Sequence, residues 1–224
     1  MSEIAVIVGA GPRLGLLIGK ACAADGMSVA LAARSPAKIA EAASAFGARA
    51  YACDATQRAD VERLFESVGT DLGVPDLVVF NPAGRLAGPI ETINPDELDR
   101  PLGILRGAFL VAQAAAKGML AKGSGTILFT GASTSVQGPP EQSAVAMYKF
   151  GIRGLAQALA RELHPKNVHV GHVVVSGGIG ALGDAKDTSA RPEEIAKSFL
   201  ALHRQHRSVW AWETIIGPWT GPVL

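Results

Sequence analysis

Short aliphatic and β-branched runs alternate with longer helical stretches along almost the whole chain, and this alternation constrains the fold most strongly. The expected strands are Glu3–Val8, Met27–Ala32, Arg49–Cys53, Pro75–Phe80, Thr126–Thr130, Val168–Val175 and Ser208–Ile216. The helical stretches are one running to about Asp25, an alanine-rich one from Pro36, Gln57–Thr70, Pro95–Ala121, about Glu141–His164, and Pro192–His203. Within Gln57–Thr70, Val61, Leu64, Phe65 and Val68 share one face, as an amphipathic helix requires. Runs such as Ile4–Val8 have no polar face, which marks strands of a parallel sheet covered by helices on both sides. Alternating units of this kind specify an α/β fold: a doubly wound parallel sheet of about seven strands, of the Rossmann type.

The chain has 224 residues, 48% of them hydrophobic, and shows no internal repeat, linker or low-complexity tail. One domain over residues 1–224 with a large core follows. A formal charge of +1 gives no electrostatic argument for nucleic acid or an anionic membrane as partner. The uncharged apolar stretches fall well short of the roughly 20 residues of a membrane span, and the N-terminus lacks the basic region of a signal peptide. Cys22 and Cys53 have neither metal-ligand spacing nor a disulfide framework, so both are expected as buried apolar fillers. These features point to a reduced, cytoplasmic protein.

Glycine-rich sequence follows the first strand: Gly9-Ala-Gly11-Pro12-Arg13-Leu14-Gly15. A turn of this kind before a helix N-terminus lets a pyrophosphate approach the backbone, where free N–H groups and the helix dipole favour anions. At the end of the second strand, a carboxylate would bond the ribose 2′-hydroxyl of NAD, whereas arginine accommodates the 2′-phosphate of NADP. Arg34-Ser35 stands there without a carboxylate, so NADP(H) is preferred over NAD(H). Asp54-Ala55 ends the third strand and Asn81-Pro-Ala83-Gly84 the fourth. Taken alone, Asp54 also suits a helix cap and Gly84 a chain turn.

Together with the helix Val145-Ala-Met-Tyr-Lys149, these motifs resemble the short-chain dehydrogenase/reductase family over nearly the whole chain. The resemblance implies a dinucleotide cofactor held by Gly9, Gly11, Pro12, Arg13, Leu14, Gly15, Arg34, Ser35, Asp54, Ala55, Asn81, Ala83, Gly84 and Lys149. It adds Gly178 and Ile179, after the sixth strand, against the nicotinamide. Three departures bear on the cofactor half. Val8 replaces the family's threonine, Gly177 replaces a proline, and Arg13 replaces the middle glycine. Arg13 would either crowd the pyrophosphate or give it a cation, and the sequence allows both.

The chemical half departs further. The family uses a serine to polarise the carbonyl, a tyrosine to give the proton, a lysine to tune it, and an asparagine to hold a relay water. The matching positions here are Ala132, Val145, Lys149 and Ile104. Ser133, one residue on, is a candidate for the serine's work, so Lys149 and Ser133 are the catalytic candidates. Tyr148 lies about 100° from Lys149 around the helix and is expected to pack against a neighbouring helix. His169 and His172 fall on opposite strand faces, and His203 and His206 at a solvated helix end; no set of metal ligands emerges. The implied function is a dehydrogenase/reductase-type oxidoreductase with altered or weakened chemistry on a small carbonyl or alcohol. The alternative is a catalytically inactive dinucleotide-binding protein with a structural or sensing role. The link from Ala181 to Pro192 is short, so a reduced substrate lid is expected. The resemblance also implies a homodimer or homotetramer, with Phe109, Met119, Phe150 and Leu155 in its packing and the apolar Val209–Trp219 segment in core or interface.

Overall fold

A computed structural model describes residues 2–181, 188–221 and 224. Seven parallel strands form one sheet in the order β3-β2-β1-β4-β5-β6-β7. They are β1 (Ile4–Val8), β2 (Ser28–Ala33), β3 (Arg49–Ala52), β4 (Leu77–Phe80), β5 (Gly125–Ala132), β6 (Val168–Val175) and β7 (Glu213–Ile216). The helices are α1 (Leu14–Ala24), α2 (Ala37–Ser44), α3 (Arg58–Asp71), α4 (Asp99–Lys122), α5 (Ser143–Leu163) and α6 (Pro192–His203). The sheet reverses direction of winding between β1 and β4, the switch point at which ligands sit in open α/β sheets.

Alternate strand residues feed two cores. Val6, Phe80, Phe129 and Val170 pack beneath α3, α4 and α5. Ile7, Leu31, Leu128 and Val173 pack beneath α1, α2 and α6. Every residue of β6 is buried, which explains its valine-rich character, with His169 and His172 as its two buried polar residues. Cys22 and Cys53 are free and buried in these cores, as expected, and burial pushes both thiols up to about 12.

Several boundaries differ from the sequence expectation, each for a local reason. Helix α5 starts at Ser143 because Glu141 takes a left-handed φ of 60° and its carbonyl accepts from Gly88 N–H. Pro95–Leu98 forms a separate 3₁₀ turn, capped by Asn94, ahead of α4. Strand β5 continues two residues past Thr130, because Gly131 and Ala132 still pair with Val174 and Val175. Strand β7 begins at Glu213, not Ser208. Before it, Arg207–Val209 make a 3₁₀ turn and Trp210 stacks on His169 at 4.8 Å. His203 is not solvated: its side chain is 7% exposed, and Nδ1 bonds Thr126 Oγ1 at 2.9 Å. Met119 is fully buried and belongs to the core, while Phe109 and Phe150 are exposed. Of the Val209–Trp219 segment, Trp210 and Trp212 are partly covered, but Val209 and Trp219 lie open.

Candidate functional site

A cavity of about 930 Å³ opens at the carboxyl ends of β1 to β4, bounded on the far side by α4. That volume falls within the range of small-molecule and cofactor sites. Gly9 begins its wall with a φ of 79°, and a Cβ there would meet Pro82 at 2.7 Å. The turn is tied to the next strand by Asn81, whose Nδ2 donates to Gly9 carbonyl at 3.0 Å. Gly11 also lines the cavity, and a Cβ there would meet nothing within 4 Å, so the backbone faces open space. Helix α1 starts three residues on, bringing its positive end to this wall.

Of the sequence candidates, Gly9, Gly11, Pro12, Arg34, Ser35, Asp54, Ala55, Asn81 and Ala83 meet around this one cavity. Leu14 and Gly15 lie behind it, buried in the start of α1. Arg13 is exposed and outside the wall. Arg34 and Lys38 are exposed cations at the wall and have no carboxylate partner among the described residues. Asp54 does not cap α3. Its Oδ1 accepts from Thr56 N–H at 3.0 Å and from the Thr56 hydroxyl at 2.9 Å, turning the chain beneath the cavity. Lys38, Arg100 and Arg106 join the wall without having been singled out in the sequence. Their only sequence signal is basic character near the start of a helix or along one, which many solvated faces share.

Of the chemical half, Ile104 lines the same cavity, whereas Ala132, Ser133, Val145 and Lys149 are not among its lining residues. On α5, Val145 and Lys149 are one turn apart and both buried. Lys149 Nζ donates to the Thr130 carbonyl at 2.9 Å. Burial lowers this ammonium to about 8. Tyr148 is also buried, and its hydroxyl donates to Gly84 carbonyl at 3.0 Å and accepts from Gly84 N–H at 3.3 Å. It therefore pins the loop after β4 through its hydroxyl, while its buried ring belongs to the core that also holds Ile104 and Ala108 of the neighbouring α4. Ile104 is buried beside the same loop; a Cβ on Gly84 would stand 2.8 Å from Ile104 Cδ1.

Ala132 ends β5, and the half-buried Ser133 opens a 3₁₀ turn through Ser135. Ser135, absent from the sequence candidates, is fully buried and its Oγ accepts from Ala132 N–H at 3.0 Å. Gly178 and Ile179 follow β6, with Ile179 bridging to Ala190 and 43% exposed. The link expected as a reduced lid falls largely on residues 182–187, outside the described residues. Beneath α5, His172 Nδ1 and Glu213 Oε1 are 3.1 Å apart, and Arg153 donates to both Glu213 oxygens at 2.7 and 2.8 Å. Among the described residues, Thr130 Oγ1, His172 Nε2 and Ser176 Oγ are buried without a hydrogen-bond partner. All three lie on β5 and β6 or just beyond, toward their carboxyl ends. Buried polar groups are normally paired, so these three atoms depart from the rule, as do His169 Nδ1 and His203 Nε2 elsewhere among the described residues.

No cluster of three metal-ligating side chains occurs among the described residues. The glycine turn, the open face at Gly11 and the cations Arg34 and Lys38 are of a chemistry that fits a dinucleotide.

Residues 3–188 match the family model described as short chain dehydrogenase. An oxidoreductase of Sarocladium schorii is 31% identical over 171 residues, covering 75% of this chain and 69% of that protein. The crystal structure of a short-chain dehydrogenase from Rhodopseudomonas palustris superposes with a TM-score of 0.85 at 29% identity, over 97% of this chain and 99% of the other. A metagenomic short-chain oxidoreductase solved in complex with NADP gives 0.83 at 25% identity, over 96% and 97%.

Proposed function

Because the chain belongs to the short-chain dehydrogenase family of oxidoreductases, we propose that it binds NADP(H) in the switch-point cavity and interconverts a small carbonyl and its alcohol with altered chemistry. The observation that carries this reading is the cavity itself, formed around the glycine turn with Arg34 and Lys38 at its wall and no carboxylate at the end of β2. Gly9, Gly11 and Pro12 would take the pyrophosphate, Arg34, Ser35 and Lys38 the 2′-phosphate, and Asp54, Ala55 and Asn81 the adenosine end. The nicotinamide, when bound, supplies the hydride.

The chain's own residues then have two tasks: polarising the carbonyl and delivering one proton to the forming alkoxide. Valine at 145 carries no proton. Lys149, with its ammonium lowered to about 8, keeps a proton near neutral pH and holds it less tightly than an exposed lysine does. It takes the proton-carrying role, and Ser133, at the mouth of β5, the polarising one. A positioned general acid contributes about 10²–10⁴ in rate. With one buried amine in place of a tyrosine–lysine pair, turnover is expected to be slow.

Titration of the protein with NADPH and with NADH, followed by fluorescence of the reduced cofactor, tests the reading. NADPH should bind more tightly, by about tenfold or more, the size of one charge-assisted hydrogen bond. Arg34→Ala should remove most of that preference while leaving NADH affinity nearly unchanged. Equal affinities would refute the NADP(H) assignment, and no binding of either would refute the site. NADPH binding without turnover across a carbonyl panel would favour the alternative, an inactive dinucleotide-binding protein. That alternative draws its support from Val145 and Ile104, both buried apolar residues at the positions where the family carries polar ones.

A further inference from the structure

Four basic side chains line the switch-point cavity, against two carboxylates, Asp54 and Asp99. Arg34 and Lys38 follow β2, and Arg100 and Arg106 stand on α4. The whole chain has a formal charge of only +1, so positive charge is gathered at this cavity and the remainder is slightly negative. Arg34 and Lys38 have a task in the proposed function. Arg100 and Arg106 have none.

Basic side chains on the other helices are commonly paired: Arg58 with Glu62, Arg63 with Asp60, Arg153 with Glu213 and Lys197 with Glu194. Arg100 and Arg106 are exposed and have no carboxylate within ion-pair distance among the described residues. Arg100 stands four residues after Asp96, the spacing of a helical ion pair, yet the two do not pair. It also occupies the first turn of α4, where the positive end of the helix disfavours a cation. Two glycines fix where these side chains stand. A Cβ on Gly107 would lie 2.6 Å from the Ala55 carbonyl oxygen, and one on Gly103 would meet Thr56 at 3.4 Å, so α4 rests on the turn after β3. Arg100 and Arg106 are each three residues from Gly103 and flank this contact. Helix α4 returns from the carboxyl ends of the strands to the start of β5, and helical side chains lean toward the N-terminus. Both guanidinium groups are thereby directed toward the end at which the cavity opens.

We propose that Arg100 and Arg106 are specificity-determining residues for the cofactor, which hold the ribose phosphate of NADP(H) from the α4 wall while Arg34 and Lys38 hold it from the β2 side. A phosphate monoester carries nearly two negative charges at neutral pH and three strong acceptor oxygens, so donors can reach it from more than one side. A guanidinium fork takes two such oxygens at once. The cost of leaving two arginines unpaired, one of them against the helix dipole, is offset when the phosphate arrives. This inference rests on the NADP(H) reading and extends its charge selection from one wall of the cavity to two.

The test is calorimetric titration of the full chain with 2′-phospho-ADP-ribose and with ADP-ribose, which lack the nicotinamide and so need no turnover. Wild type should prefer the phosphorylated ligand. Arg100→Ala combined with Arg106→Ala should weaken that ligand by about tenfold or more, the size of one charge-assisted hydrogen bond, and leave ADP-ribose nearly unchanged. Lys117→Ala removes an exposed α4 cation outside the cavity wall and should leave both affinities as they are. All three substitutions fall on exposed side chains, so the variants should fold, which their thermal unfolding checks. Unchanged affinity for the phosphorylated ligand in the double variant overturns the proposal. So does an equal loss on both ligands, which would put the arginines on the base or the pyrophosphate, or an equal loss in Lys117→Ala, which would make the effect one of net charge. If Arg34→Ala abolishes the preference while the double variant keeps it, this inference fails alone. A wild type without preference overturns the NADP(H) reading and this inference with it.

Discussion

A lysine whose amine is lowered from 10.5 to about 8 by burial also carries a pH-dependent stability term. Below pH 8 Lys149 is charged in both folded and unfolded chains, and the folded state bears the full cost of burying it. Between 8 and 10.5 the folded state releases the proton while the unfolded chain keeps it, so the cost shrinks as pH rises. Above 10.5 both forms are neutral and the cost is gone. The shift corresponds to about 3 kcal/mol. Lys149→Met should therefore be more stable than wild type by up to about 3 kcal/mol near neutrality, with the gap closing as pH rises toward 10.5. Urea unfolding of both proteins across that range measures it. A gap that stays constant with pH would mean that the amine is not buried as a charge. A destabilised, reactive amine of this kind is what a site keeps for function.

At the scale of elements, α5 joins the two halves of the site through adjacent residues that point different ways. Lys149 reaches β5, whereas Tyr148 reaches the loop after β4 and closes hydrogen bonds on both polar groups of Gly84. That loop carries Asn81 and Ala83 into the cavity wall. Tyr148→Phe should leave the Gly84 groups unpaired, at a cost of about 1–3 kcal/mol. A fall in Tm of about 5 °C follows for a chain of this size, along with weaker NADPH binding through the loosened loop. An unchanged Tm with unchanged affinity would show that the tyrosine is only packed. The same helix shows how far the sequence is legible. Periodicity locates α5, and the motifs locate the cavity residues, because both depend on near neighbours in the chain. Periodicity also includes Glu141, since its left-handed turn arises from a contact with Gly88, more than fifty residues away. His172 and Glu213 are likewise invisible as a pair. Forty-one residues separate them, and only the β6–β7 register brings them side by side. His203, at the end of α6, reads as a solvated residue for a related reason: its partner Thr126 lies on β5, distant in the chain.

On the scale of the whole molecule, α4 is the anomaly. Among the described residues, α4 with the 3₁₀ turn before it, Pro95–Lys122, is the one helical stretch long and apolar enough to cross a membrane by length and composition. Its apolar character has two sources on two faces. Ala108, Val111, Ala112, Ala115 and Met119 are buried, facing the core over the sheet. Leu102, Phe109 and Leu120, spaced seven and eleven residues apart, share one face of α4 and are exposed, Leu102 also lining the cavity; Met147 and Phe150 are exposed on α5. Exposed apolar side chains on two neighbouring helices suit a contact surface. The surface is built from two antiparallel-capable helices, so a two-fold axis beside them would set α4 and α5 against the same pair in a second copy. A stable contact needs about 1,200–2,000 Å² of total buried surface, which two helices from each copy can supply. Sedimentation velocity should therefore find a dimer or larger homo-oligomer at micromolar concentration. Phe109→Asp together with Phe150→Asp should shift it to monomer, since four carboxylates would be driven into an apolar contact. Both side chains are exposed in the monomer, so the fold should survive with its unfolding transition nearly unchanged. A wild-type monomer, or a double variant that still associates, would move the contact elsewhere on the molecule. In either case α4 would be apolar on its outer face without a second copy to cover it.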